Sequence, residues 1–381
     1  QLFHNWAELR DGLRHLPPVD AVIELMGGID DCLPIYRHFL GEGVPIITAN
    51  KALLAECGSE LFPLARKNRT CIACEASCGG GIPILQTLLC GLRANQIHEF
   101  HGVLNGTCNF ILSKMAAEGR SYRDVLCEAQ ACGLAEADPF LDVSGTDSAH
   151  KLAILAAMSF GLHFGSGGIE EIPISGIANL QPVHICAGNK LGLSLKLLAS
   201  AKLGSDRSLA LRVGPYYIPR KSSLHTNFDW GLPMEPSPLA FLEGSFNGVS
   251  FYGDNVGHVY LQGRGAGASA TASAVLADLY QVLGGSYPLV FADFPYWVGS
   301  PAQAGNQWAY MPQNWLGFAE TSLPAGRELF SLDGYRVFYL EQYSQVSLPD
   351  FERYQYIPIL QVPEERLQGE REKSGQSEVG I

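Results

Sequence analysis

Glu136, Asp138, Asp142 and Asp147 precede His150 and Lys151 in one short stretch, GLAEADPFLDVSGTDSAHKLAIL, after which the chain turns apolar. Asp147 and Lys151 are four apart, so on a helix they share one face. Leu152, Ile154, Leu155 and Met158 follow at once, which marks that helix as largely buried. An exposed pair of this kind contributes well under about 1 kcal/mol, whereas a buried ammonium is costly unless it is partnered or has a task. A lysine so placed can give a proton to an oxygen that gains negative charge. Glu136 and Asp142, arriving from the preceding loop, suit an ammonium group or a hydroxyl. The pattern points to a site for a small polar substrate; a solvated loop is the competing reading.

Other segments carry chemistry more weakly. In ITANKALL, Lys51 opens a helix at the end of a strand, where a phosphate, a carboxylate or a reacting oxygen could meet it. VLNGTCNF puts Gly106 and Thr107 at a strand–helix junction with free backbone N–H groups. GRGAGASATASAV (263–275) runs through three glycines into a helix of small residues, a spacing that allows close backbone approach. EASCGGGIP places Glu75 beside carbonyl-rich glycine backbone, which could hold a cation with oxygen ligands; plain turn chemistry is the commoner explanation.

The elements that must position these residues begin with apolar strands at 20–26, 44–50 and 70–77, alternating with helices at 31–43 and 51–67. Near-continuous apolar strands separated by helices predict a parallel sheet covered on both faces. Helices are expected at 84–93, 107–118, 121–132 and 147–161, with a strand at 98–106. From 169 to 281 the runs SLALRVGPYYI, PLAFLEG, GVSFYGD and HVYLQG predict short strands of an α+β domain. The pieces GYRVFYLEQY and YQYIPILQVP are strand-like, and the last residues have the composition of a disordered tail.

The 381 residues suffice for two or three domains, and 47% apolar with 17% charged residues suits a globular enzyme. A net charge of −12 argues against a nucleic-acid partner. No apolar run is long enough to span a membrane, and no signal-peptide pattern opens the chain. Cys71, Cys74 and Cys78 have knuckle-like spacing, but within a strand residues three apart face opposite ways, so zinc is disfavoured. Buried thiols in a reducing, cytoplasmic compartment are the expectation.

Taken in order, ELMGG, ITANKALLA, EASCGGGIPI, GVLNGTCNFIL, AEADPFLDVSGTDSAHKLAIL, GLSLKLLA and GRGAGASATASAV resemble the homoserine dehydrogenase family over about residues 20–282. The resemblance implies an oxidoreductase that interconverts aspartate semialdehyde and homoserine with NADP or NAD, on the route to threonine, methionine and isoleucine. It makes Lys151 the acid/base, with Asp147 orienting it and Lys51 between nicotinamide and substrate as a further catalytic candidate. Glu136, Asp142, Gly106 and Thr107 would line the substrate site; Gly27, Asn50, Lys51 and Gly267 would touch the cofactor. Glu75 with the carbonyls of Cys78, Gly80 and Ile82 matches the family's sodium site. The family's substrate domain also forms a homodimer through its mixed sheet.

The expected fold is therefore α/β: a truncated Rossmann-like parallel sheet at 1–78, then an α+β substrate and dimerisation domain with a mixed sheet at 79–282. An extension of unassigned fold (283–363) and a tail (364–381) follow. The family's opening G-x-G-x-x-G turn, which holds the pyrophosphate, is not in these residues, and the threonine-sensing βαββαβ alternation does not fit 283–363. Two alternatives stand beside the enzyme reading: a non-catalytic relative acting as a subunit or binding partner, and a dehydrogenase for another amino-acid semialdehyde. The intact substrate-side segments disfavour the second of these.

Overall fold

Three short apolar runs, β1 (Val22–Glu24), β2 (Ile46–Thr48) and β3 (Ile72–Ala73), form a parallel sheet in the order β1-β2-β3, with Val22 opposite Ile46 and Ile46 opposite Ile72. The computed structural model describes residues 2–15, 17–161, 168–204, 209–221, 236–288, 314–319, 327–332, 335–341 and 355–359. Ahead of the sheet lies α1 (Trp6–Leu13). Between its strands run α2 (Leu33–Gly41), which buries Ile35, Tyr36, Phe39 and Leu40, and α3 (Lys51–Lys67), which buries Leu53, Leu61 and Phe62. Right-handed crossovers through such amphipathic helices are what parallel strands require.

The strands are shorter than expected, and Glu24 explains the first. Its buried carboxylate accepts the amide protons of Met26 (2.8 Å) and Gly27 (3.0 Å) through one oxygen. The other oxygen accepts the hydroxyls of Tyr36 (2.8 Å) and Thr48 (3.1 Å). The chain is thus bent into a turn as soon as β1 ends, and β1, β2 and α2 are joined through one side chain.

After β3 come the three-residue α4 (Ile84–Gln86), running into a wide helical turn at Thr87–Gly91, and then β4 (Ile97–Val103). The helices α5 (Gly106–Glu118), α6 (Tyr122–Ala131), α7 (Phe140–Val143), α8 (Thr146–Phe160) and α9 (Pro182–Lys190) follow. Next are the strands β5 (Leu193–Leu203), β6 (Leu209–Pro219), β7 (Phe246–Gly253) and β8 (Gly257–Arg264). With β4 these make a five-stranded sheet, β6-β5-β4-β7-β8, whose strand pairs are all antiparallel. Among the described residues it becomes mixed at β6, where Ile174 and Ile359 each add a parallel bridge. PLAFLEG is not a strand: Pro238–Phe241 form a 3-10 turn, begun by a proline that cannot donate to a ladder and capped by the Ser237 hydroxyl.

One face of the larger sheet is covered by α5, α8 and α9, whose Ile111, Leu112, Leu152 and Leu155 share a core with Phe100, Leu197 and Phe251. The last long helix, α10 (Ala268–Leu283), returns to pack on β2 and β3. Beyond it, β9 (Asn314–Ala319), β10 (Arg327–Leu332), β11 (Tyr335–Glu341) and β12 (Gln355–Pro358) form an antiparallel sheet in the order β10-β11-β9-β12. Val337, Ile357 and Ile359 from this sheet are buried in the main core. The predicted tail lies outside the described residues. All ten cysteines are free, and among the described residues no group of side chains could hold a metal ion through His, Cys, Asp or Glu.

Gly145 sets the entry to α8. Its φ is 92°, and a Cβ there would lie 3.0 Å from Ile174 Cγ2 and 3.1 Å from Val213 Cγ1. Gly145→Ala is predicted to cost about 2 kcal/mol, from left-handed strain with crowding added, read as a lower urea midpoint at unchanged slope.

Candidate functional site

A cleft of about 700 Å³ opens where β2 ends, bounded by the 77–80 turn, the start of α5, the 133–142 segment, α8 and the 264–267 turn. It sits at the carboxyl ends of the parallel strands, where open α/β sheets place their ligands. The two glycine turns touch: Gly81 donates its amide to Arg264 O at 3.1 Å, and a Cβ on Gly80 would be 2.7 Å from Gly265 backbone. Glycine is required at that contact because only bare backbone lets the turns meet.

Lys151 lies on the buried face of α8, 8% exposed. Its Nζ donates to Asp147 Oδ2 at 2.8 Å and to the backbone carbonyl of Leu104 at 2.6 Å. The other Asp147 oxygen is 3.3 Å from Lys51 Nζ, which is 39% exposed and faces the opening. Lys51 is the first residue of α3, a helix end where a positive charge is unfavourable by a few tenths of a kcal/mol. Its carboxylate partner offsets that cost.

Burial alone would raise the Asp147 carboxyl. The ammoniums of Lys151 and Lys51, with hydrogen bonds from Lys151 and Asn105, outweigh burial and bring its pKa down to about 2. Burial pulls the Lys151 pKa down, but Asp147 outweighs it, and the amine ends above its ordinary value. The site thus holds a charged lysine ready to give a proton. His150 on the same helix is lowered by burial, so it is neutral near pH 7. The thiol of Cys78, pushed up to about 12 by burial, stays a thiol.

Most of the predicted residues come together here. Lys151, Asp147, Lys51, Asp142, Glu136, Gly106, Thr107 and Gly267 all line the cleft. Gly80 lines it as well, whereas Glu75, Cys78 and Ile82 lie behind its wall, buried. Asn50 and Gly27 do not line it, although Asn50 lies between Ala49 and Lys51, which do. The Asn50 amide donates to Gly28 O at 2.7 Å while its Oδ1 accepts the Leu53 amide at 3.2 Å, so it caps α3 and pins the turn after β1. Gly27 and Gly28 have φ of 77° and 81°, with open space where a side chain would be.

Sequence reasoning missed Asn105. Its Nδ2 donates to Asp142 Oδ1 (2.7 Å) and Asp147 Oδ2 (2.9 Å), joining the two acids, while its Oδ1 caps α5 at Cys108 N. An asparagine just before Gly-Thr at a strand–helix junction is a readable cap signal; the second task is not. Asn247 was missed too: its amide donates to Leu104 O at 2.8 Å, the carbonyl that also anchors Lys151.

Residues 83–280 match the family model described as homoserine dehydrogenase. The chain belongs to the homoserine dehydrogenase family. It is 40% identical over 271 residues to the Synechocystis homoserine dehydrogenase, an alignment that covers 70% of this chain and 58% of that protein. With the Neisseria gonorrhoeae homoserine dehydrogenase it shares 40% over 295 residues, 76% of this chain and 62% of that one. The chain thus spans about three fifths of the length of these curated relatives. The homoserine dehydrogenase of Thiobacillus denitrificans superposes with a TM-score of 0.70 at 30% identity, over 90% of this chain and 82% of that chain. A hyperthermophilic archaeal homoserine dehydrogenase in complex with NADPH superposes at 0.54 and 27% identity, over 70% and 73%.

The depressed Asp147 pKa has a consequence for stability. A carboxyl lowered in the folded state stabilises the fold above the unfolded value near 3.8, and that contribution is lost as pH falls toward 2. Asp147→Asn also strands a buried ammonium. The predicted loss is about 3 kcal/mol at pH 7, shrinking as pH falls from 4 to 2, checked by urea titrations across that range.

Proposed function

We propose that this chain carries the activity of its family, the NAD(P)-dependent interconversion of L-aspartate 4-semialdehyde and L-homoserine. The observation that supports it best is the Lys151–Asp147–Lys51 cluster, a buried ammonium and a second one at the mouth, converging on a cleft between the β2 end and the 264–267 glycine turn.

The residues present fit a nicotinamide cofactor. Gly267, at the start of α10 with φ 110° and open space on its Cβ side, leaves room for close approach, and Asn50 holds the neighbouring turn in place. When bound, the nicotinamide supplies or accepts the hydride. An aldehyde oxygen gains negative charge as it is reduced. Lys151 stabilises that charge and delivers its proton to the same oxygen. Asp147 keeps the Lys151 ammonium charged and aimed, and Lys51 adds positive potential from the opening. Asp142 and Glu136 offer carboxylates to the substrate's own ammonium, while the free amides at the start of α5, Gly106 and Thr107, suit its carboxylate. Positioning two small molecules is most of the work.

The reading includes sodium behind the cleft. Glu75 is buried, and burial lifts its carboxyl to about 7, with Asp278 beside it lifted to about 6. Glu75 oxygens accept the amides of Leu85 (2.9 Å) and Gln86 (2.7 Å), donors that leave the carboxylate short of positive charge. A monovalent cation on Glu75 and the carbonyls of Cys78, Gly80 and Ile82 supplies that charge in a supporting role. The enzyme is further read as a cytoplasmic homodimer. Its free cysteines suit a reducing compartment, and among the described residues no helix is long and apolar enough to cross a membrane. The dimer rests on the family resemblance.

Two outcomes follow. Lys151→Ala should lower NADPH-dependent reduction of aspartate semialdehyde by at least about a thousandfold while circular dichroism stays native; turnover within tenfold of the parent removes the assignment. For Glu75, a raised folded pKa gives a contribution fully present below about 4.5 and lost as pH rises through 7. In choline chloride the melting temperature should therefore fall between pH 5 and 8, and sodium chloride at equal ionic strength should restore most of it.

A further inference from the structure

The GLSLKLLA segment is not used by the mechanism, yet it buries a charge. Lys196 on β5 is 4% exposed, and its Nζ donates to Asn109 Oδ1 (2.9 Å), Ser113 Oγ (3.3 Å) and the carbonyl of Leu242, all neutral acceptors. Beside it Arg220 is held through Nε against Ser194 Oγ. Both cations line a second cavity, about 420 Å³, between α5, α9 and the β5–β6 edge; it meets the later turns of α5, whereas the catalytic cleft meets its first residues. Among the described residues neither cation forms an ion pair, and Glu243 is the acid that faces them both without closing on either. The remaining charges at the rim, Lys114 and Glu118, are paired with each other at 2.8 Å and with Glu128 and Arg120 in one network.

We propose that this cavity is a binding site for a small oxyanion, a carboxylate- or phosphate-bearing metabolite, held between the Lys196 ammonium and the Arg220 guanidinium. A buried ammonium with neutral partners alone is a charge awaiting its counterion. Burial and the nearby Arg220 lower the Lys196 amine to about 8, a cost that an anion removes. With its Nε fixed, the guanidinium keeps its terminal nitrogens for a planar, two-oxygen contact. The long Ser113 contact is the one an entering oxygen replaces. The volume suits a molecule the size of an amino acid or a small phosphate ester and excludes a dinucleotide.

The test is isothermal titration of the full 381-residue chain with sodium phosphate and, separately, sodium succinate, against sodium chloride at equal ionic strength. The expected result is saturable binding of at least one of the two, with one site per chain. Arg220→Gln should weaken it at least tenfold, Lys196→Met should abolish it, and Glu243→Gln should tighten it severalfold by removing the competing carboxylate. Lys151→Ala should leave it unchanged, which separates this site from the catalytic cleft and its assigned activity. Arg220 and Glu243 sit at the mouth, so their variants stay informative if Lys196→Met fails to fold. Absence of saturable binding, or binding indifferent to Arg220→Gln and Glu243→Gln, overturns the proposal.

Discussion

One carboxylate holds the walls of the cleft together. Asp147 sits between two ammoniums and an amide, and each partner arrives on a different element: Lys151 from its own helix, Lys51 from the end of the parallel sheet, Asn105 from the strand–helix junction after β4. Three pieces of chain far apart in sequence therefore meet at one buried charge. A buried ion pair contributes little net stability, because desolvation cancels much of the attraction. Its effect is specificity of arrangement, since losing any one partner leaves another charge uncompensated.

The surrounding fold is organised to tolerate that cluster. Leu104, at the end of β4, gives a carbonyl to Lys151 and steadies it with the Asn247 amide from β7. The glycine turns at 79–81 and 264–267 bring bare backbone to the opposite wall of the cleft. Glu24 and Asn50 bend and pin the chain after β1, beside the β2 end. Asn50, Asn247 and Glu24 are polar side chains buried with hydrogen bonds to backbone, the way a rigid site is built on a soft connection.

Much of this was legible in the sequence, for reasons that differ by element. The i to i+4 spacing of Asp147 and Lys151 ahead of an apolar run was enough to place a buried ion pair on a helix. Apolar strands and α3 were readable from periodicity, and the family-like segments supplied roles that spacing alone could not. The end of β1 was overextended because Glu24 turns the chain through the Met26 and Gly27 amides while Tyr36 and Thr48, 12 and 24 positions away, hold its other oxygen. PLAFLEG looked like a strand because alternation cannot register that its proline begins a tight turn. Asn105 and the Leu104 carbonyl escaped because bridging two acids, or offering a backbone oxygen, has no composition signature. The Lys196 cavity was hidden in the same way: the lysine reads as an ordinary interruption of a strand until its three neutral partners are known.

The central claim is that the Lys151 ammonium, kept charged by Asp147, exchanges its proton with the reacting oxygen. The pH dependence of kcat in both directions tests it most directly. Homoserine oxidation needs that amine to accept a proton, so its kcat should climb with pH toward an inflection above the ordinary lysine value of 10.5, while semialdehyde reduction stays level and declines only there. If both directions instead follow a single group titrating near 7, the proton belongs to another residue and the account fails.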